Sequence, residues 1–155
     1  MTTGTSLVAL KQAMVAALRA RPGLAGIQIL YAPDDFVAPD DHVEAEAIWF
    51  GDTEWLESEI PVMKSGTKKV DETYGLSWTL QVVKDDGSSQ ETADLRAKAL
   101  LVELQQALAE APDISAEVFW AFLKVRRHLT GQMVTGPGHG SRFEGVIEVR
   151  ARLAP

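Results

Sequence analysis

The chain has 155 residues, with 22 acidic side chains against 15 Lys and Arg, for a formal charge of −7. That length suits a single domain, residues 1–155, able to bury about two-thirds of its unfolded surface, and 46% hydrophobic with 24% charged residues excludes wholesale disorder. Cysteine is absent, which excludes disulfides, thiolate metal sites and cysteine nucleophiles. No apolar run approaches the ~20 residues of a membrane span, and Met1–Ser6 lacks the basic-then-apolar pattern of a signal peptide, so the expectation is a soluble intracellular protein. The acidic balance argues against a general nucleic-acid binder, because phosphate contact needs a basic surface.

From Ser6 to Arg21, Leu7, Leu10, Met14, Ala17 and Leu18 recur at helical spacing, with Thr5 or Ser6 available as a cap and Pro22-Gly23 as the stop. The pattern then switches to period two. Ile27, Ile29 and Tyr31 predict a short strand, Val43 to Phe50 a second ending at Gly51-Asp52, and Trp55 to Met63 a third, interrupted by Pro61. The clearest alternation is Tyr74, Leu76, Trp78, Leu80 and Val82, a half-buried antiparallel strand. Asp85-Asp86-Gly87 marks a turn, and Ser88 with Glu91 has capping-box spacing for a helix over 89–111, striped by Ala93, Ala97, Leu100, Leu101, Leu104 and Leu108.

Residues 115–129 fit two templates. Val118, Phe122, Val125 and Leu129 make a helical stripe, while Phe119, Ala121, Leu123 and Val125 make a strand face. The density of Val, Phe and Trp, followed by a Gly-rich turn and the alternating run from Phe143 to Leu153, tips the reading toward a long C-terminal hairpin. The expected fold is therefore α+β: an antiparallel or mixed sheet with two main helices packed on it.

Charge is segregated. Residues 120–155 carry six cationic against two acidic side chains, net +4, leaving −11 on the preceding 119 residues. Asp34, Asp35, Asp40, Asp41, Glu44 and Glu46 form an acidic stretch without Lys or Arg. Such a chain can meet a second copy head to tail, although solvated polar faces give the same pattern.

No constellation of residues points to catalysis. Gly136-Pro137-Gly138-His139-Gly140-Ser141 precedes a strand rather than a helix and lacks the Gly-Lys-Ser/Thr ending, so a hairpin tip is favoured over a phosphate cradle. His42, His128 and His139 have no metal-ligand spacing, and Asp40-Asp41-His42-Val43-Glu44 lacks the pattern of a calcium loop. No serine sits in a Gly-x-Ser-x-Gly elbow. Trp49, Trp55, Trp78 and Trp120 fall on or beside strands, where core packing is the simpler role. The reading is a structural or binding protein, not an enzyme, with no cofactor and no metal; a small ligand-binding domain using His139 or the Asp40–Glu44 cluster is the alternative.

The order of elements resembles a known family. An opening amphipathic helix from Leu7 to Leu18 is followed by Pro22-Gly23-Leu24-Ala25-Gly26-Ile27-Gln28-Ile29. Glu46-Ala47-Ile48-Trp49-Phe50-Gly51 comes next, then a long alternating strand, an Ala/Leu-rich helix from Ala93 to Leu108, and a closing Val146-Ile147-Glu148-Val149-Arg150-Ala151-Arg152-Leu153. This arrangement resembles the tail terminator proteins, also labelled minor tail or tail completion proteins, of long-tailed phages and prophages of actinobacterial hosts. The Gly131–Ser141 tip departs from it as an insertion.

The resemblance implies a hexameric ring that caps the tail tube, ends its polymerisation and joins it to the head connector or neck protein. The implied location is the head-proximal end of the virion tail, after assembly in the host cytoplasm, with DNA passing through the lumen without specific binding. A neck or head-completion adaptor of the same virion is the near alternative. A ring needs one patch meeting a different patch on the next subunit. Arg126, Arg127 and Arg142 are the expected basic side of that interface, with Asp34, Asp35, Asp40 and Asp41 the acidic side; the competing view turns the arginines toward DNA in the lumen. Lys64, Lys68 and Lys69, in the polar 59–73 stretch, are the expected docking residues for tube or connector.

Overall fold

The computed structural model describes residues 5–33, 44–59, 70–111, 114–115, 117–132 and 138–153, without the side chains of 55–59 and 132. Helix α1 (Leu7–Ala20) leads through a 3-10 turn at Pro22–Leu24 into strand β1 (Gln28–Leu30). Strands β2 (Glu46–Glu59) and β3 (Val70–Lys84), helix α2 (Gln90–Glu110), and strands β4 (Val118–Gln132) and β5 (His139–Leu153) follow. The five strands form one mixed sheet in the order β1-β2-β3-β5-β4. Only β1 and β2 run parallel; the other neighbours are antiparallel.

Period-two patterning decides which face is covered. On β3, Tyr74, Leu76, Trp78, Leu80 and Val82 are all buried, facing the helices together with Ile147, Val149 and Ala151 of β5. Against them pack Leu10, Met14 and Leu18 of α1 and Ala97, Leu100, Leu104 and Leu108 of α2. Arg21 joins the two helices at their ends, donating to Glu103 at 2.7 Å and to Glu110 at 2.8 Å.

The expected hairpin is present: β4 pairs with β5 from Val118↔Ala151 to Gln132↔His139. Strand wins over helix for 118–132 because every residue but Phe119 and Arg126 has a register partner on β5, a ladder no helical stripe supplies. The strands also extend further than alternation suggested, so Gly131, Gly140 and Ser141 lie in the ladder rather than in a tip.

Three expectations are corrected. The predicted break at Gly51-Asp52 is not a strand end: β2 continues through it to Glu59, absorbing the irregularity as register shifts at Phe50/Thr53 and Thr53/Leu56. A bulge lets one strand look like two in sequence because it flips the inside–outside phase. The cap of α2 is Ser89, whose hydroxyl accepts from the Thr92 amide, while Ser88 instead bonds to Asp86 in the preceding turn. Trp120 is exposed rather than in the core.

At the start of α1, Thr5 accepts from the Leu7 amide. The Ser6 cap is completed from 66 residues away: Glu72 of β3 accepts from both the Ser6 amide and its hydroxyl, each at 2.5 Å. The Tyr74 hydroxyl is 3.0 Å from the Ser6 hydroxyl and donates to it, since the latter's own hydrogen goes to Glu72. A carboxylate here complements the helix dipole. Burial pushes the Tyr74 hydroxyl up to about 12 from 10.0, with the charge of Glu72 and Glu117 adding to it.

A raised tyrosine means that the folded state holds its proton more tightly than the unfolded chain. Its stabilising contribution is complete below pH 10 and is lost as pH rises through 10 toward 12. Urea titrations should show this alkaline loss in the native protein and its attenuation in Tyr74→Phe. Glu72→Ala, which orphans the buried Ser6 amide, should cost about 1–3 kcal/mol in the same assay at pH 7.

Candidate functional site

Among the described residues, the helices cover one face of the sheet, and nothing covers the other face or one long edge. Beyond β5 the sheet ends at β4, a 15-residue strand with no described neighbour on its outer side. Of the eight exposed large hydrophobic residues among those described, five lie on it: Phe119, Trp120, Phe122, Val125 and Leu129. Phe119 and Phe122 are each more than half exposed, at 54% and 51%, and Trp120 stacks on Phe122 with ring centroids 6.0 Å apart. Arg150 lies over the Trp120 ring and Arg152 over Phe119. A shallow groove between α2 and β4, lined by Gln105, Leu108, Ala109 and Ala121–Leu123, continues this apolar surface. A long edge strand with exposed aromatics is a template for pairing with another chain.

The helix-free face beside this edge is charged and internally paired. Arg152 grips Asp71 (2.5 Å) in a two-pronged bond, Lys124 meets Glu148 (2.8 Å), and Arg127 meets Glu144 (2.7 Å). Arg152 holds the Asp71 carboxyl below its ordinary range through that hydrogen bond. Arg142 donates to Gln81 (2.7 Å), approaches Glu144 (3.7 Å) and lies over the Trp49 ring.

Arg126 reaches across β5 and β3 to Glu54 of β2 at 2.5 Å. A cleft of about 440 Å³ lies beneath the pair, lined by Ser77, Thr79, Arg127 and Glu144. Gly145 also lines this cleft. It sits opposite Val125, just before a register shift in β4, and a Cβ there would collide with the Lys124 carbonyl and stand 2.7 Å from the Trp78 ring.

The sequence-predicted interface residues thus divide. Arg126, Arg127 and Arg142 share one sheet face at or next to the bare edge, each with a partner in its own chain, and Arg126 and Arg127 remain 51% and 63% exposed. Asp34, Asp35, Asp40 and Asp41, the docking candidates Lys64, Lys68 and Lys69, and His42 lie outside the described residues.

Sequence reasoning missed one cluster. His128 Nε2 is 2.8 Å from the buried Ser141 hydroxyl and 3.4 Å from Asp94 of α2, which also accepts from Gln90 at 2.9 Å. Burial pushes the Asp94 carboxyl up, but hydrogen bonds from Gln90 and Ser141 and the neighbouring His128 outweigh it and hold Asp94 below 3.8. Ser, His and Asp together invite comparison with a catalytic triad. In a triad, however, serine and acid contact opposite nitrogens of the ring; here both contact Nε2, and the ring stacks on Phe143 with centroids 4.4 Å apart. With the proton on Nε2 the histidine donates to the serine, the reverse of an activating base. The cluster ties α2 to the β4–β5 hairpin. Among the described residues no three His, Asp or Glu side chains gather to hold a metal, and no helix is long and apolar enough to cross a membrane.

No family model matches the sequence, and no curated protein matches it. A chain in the structure described as the virion of a native gene transfer agent particle superposes with a TM-score of 0.57 at 15% identity, covering 97% of this chain and 100% of that one. The two chains share a fold.

Gly145→Ala should destabilise the fold by about 2 kcal/mol, because the obstacle is backbone and cannot swing aside. Chemical denaturation reads this directly, and preserved stability would remove the close approach of β4 from the account.

Proposed function

We propose that the protein is a structural component of a phage-like virion, a tail terminator that assembles with copies of itself into a closed, hexameric ring at the head-proximal end of the tail. The observation that carries this reading is a bare, aromatic-lined edge strand on a fold shared end to end with a virion component. A subunit that works alone hides such an edge; one that works in a ring needs it. The ring caps the tail tube, ends its polymerisation and presents its other face to the connector or neck protein. It acts by shape, transforms no substrate and lets DNA pass through the lumen without gripping it.

In this reading Arg126, Arg127 and Arg142 lie near the next subunit's acidic stretch, which includes Asp34, Asp35, Asp40 and Asp41. Exchange of intrachain for interchain partners then accompanies assembly. Lys64, Lys68 and Lys69 belong to the docking surface for tube or connector.

Electron microscopy of virions carrying a tagged copy should place the label at the junction of tail and head, and tails assembled without the protein should lose their fixed length. Normal tails of normal length in its absence would overturn the reading. Replacing Arg126 and Arg127 with Glu should weaken self-association at low salt, with the deficit shrinking as salt rises; sedimentation at two ionic strengths measures it.

A further inference from the structure

The bare edge of β4 has a counterpart within the same chain. β1 covers β2 only over Ala47–Trp49, so the outer side of β2 from Gly51 to Glu59 has no described neighbour. The sheet thus ends in two open edges of opposite charge. β4 carries Lys124, Arg126 and Arg127 with no acidic residue, whereas 51–59 carries Asp52, Glu54, Glu57 and Glu59 with no basic one.

The register puts the two open segments at one height. Thr53 is level with Leu76 of β3, Leu76 with Ile147 of β5, and Ile147 with Leu123 of β4. Residues 51–59 therefore stand level with the aromatic half of β4, not with its far end. Direction agrees as well: three successive antiparallel pairings make β2 antiparallel to β4. Rotation about an axis running close to the strands preserves direction, so a neighbouring copy brings its β2 antiparallel against β4.

We infer that β4 of one copy pairs, antiparallel, with residues 51–59 of β2 in the next copy, continuing the sheet from subunit to subunit. This deepens the ring reading and rests on it, since a heterologous contact closes only by rotation. The occupant is a second copy because the complementary edge, at matching height and with about 30 Å of open strand, is in the chain itself; Lys124 stands level with its acidic segment, while Arg126 and Arg127 lie beyond the paired stretch, level with Phe50 and Trp49 where β1 begins to cover β2. Two β4 edges meeting each other would oppose like charges.

At matched height, Thr53 faces Leu123 of the neighbour, both on the helix side of the sheet, and Asp52 stands beside Lys124. Antiparallel partners have Cα atoms about 4.5–5.5 Å apart, within disulfide reach, and the chain has no cysteine of its own. Thr53→Cys combined with Leu123→Cys, with Ala121→Cys and Val125→Cys scanning the adjacent registers, should give on oxidation a reducible ladder of covalent oligomers at one of the three. Thr53→Cys mixed with the matching single β4 variant should give dimers only, and either alone none. Asp52→Lys and Lys124→Glu should each weaken association on the order of tenfold by sedimentation, and the double variant should recover it.

No cross-link at any register, cross-links between identical positions, or a wild-type protein that stays monomeric at every concentration and needs another protein to occupy the edge would each overturn the inference. A closed oligomer without the cross-link overturns the strand pairing while leaving the ring reading standing. Cross-linked open chains that never close keep the pairing and count against the ring.

Discussion

Burial of one face of β3 is the constraint from which the rest of the architecture follows. Its alternating residues are covered by two helices lying on the same side of the sheet, and that cover has a finite width. α2 reaches far enough to seal Ile147 and Val149 of β5 and to touch Ala121 and Leu123 of β4, but not to wrap around the edge. The same alternation that builds the core thus ends in a strand with one side satisfied and the other open. The opposite face, which no described helix covers, carries arginine–carboxylate pairs that lie across strands.

Within this frame the buried carboxylate of Glu72 has a definite job. A helix that begins on the surface is capped by its own neighbours or by water; α1 begins against the sheet, where water is scarce. The strand supplies the missing acceptor, and the Tyr74–Ser6–Glu72 chain of hydrogen bonds fixes the helix at one height on β3. Desolvating the carboxylate is costly; the two Ser6 donors, both on Oε1, and the α1 dipole offset part of that cost, while the buried Oε2 has no hydrogen-bond partner among the described residues. A hydrophobic contact alone would let the helix slide by a turn; a directional cluster does not.

Elements with a strong local period were legible in the sequence. Tyr74–Val82, both helices and the closing strand all have faces that alternate or recur without interruption, so pattern and fold coincide. β2 was split because bulges reset its phase at Gly51-Asp52, and a sequence pattern carries no sign that a phase change is a bulge rather than an end. Ser88 and Ser89 differ by one position, and only the turn at Asp86 decides between them. The basic character of the C-terminal segment was readable, but its pairing with Glu54, Glu144 and Glu148 was not, because those partners are set by sheet order. Glu72 with Ser6, and His128 with Asp94 and Ser141, come from distant parts of the chain and leave no local trace at all.

The edge strand itself shows a conflict that assembly resolves. Soluble proteins protect an open edge with cations, bulges or brevity. β4 carries three cations and two register shifts, yet it is long, and Phe119, Trp120 and Phe122 stand exposed on it. Protection and exposure on one strand make sense if the cations exclude the wrong partner rather than every partner. Against another β4 they repel; against an acidic edge they attract, and the aromatics then bury their area. Charge of one sign on each edge would thereby favour a head-to-tail contact over a two-fold one, which is what separates a ring from a dimer.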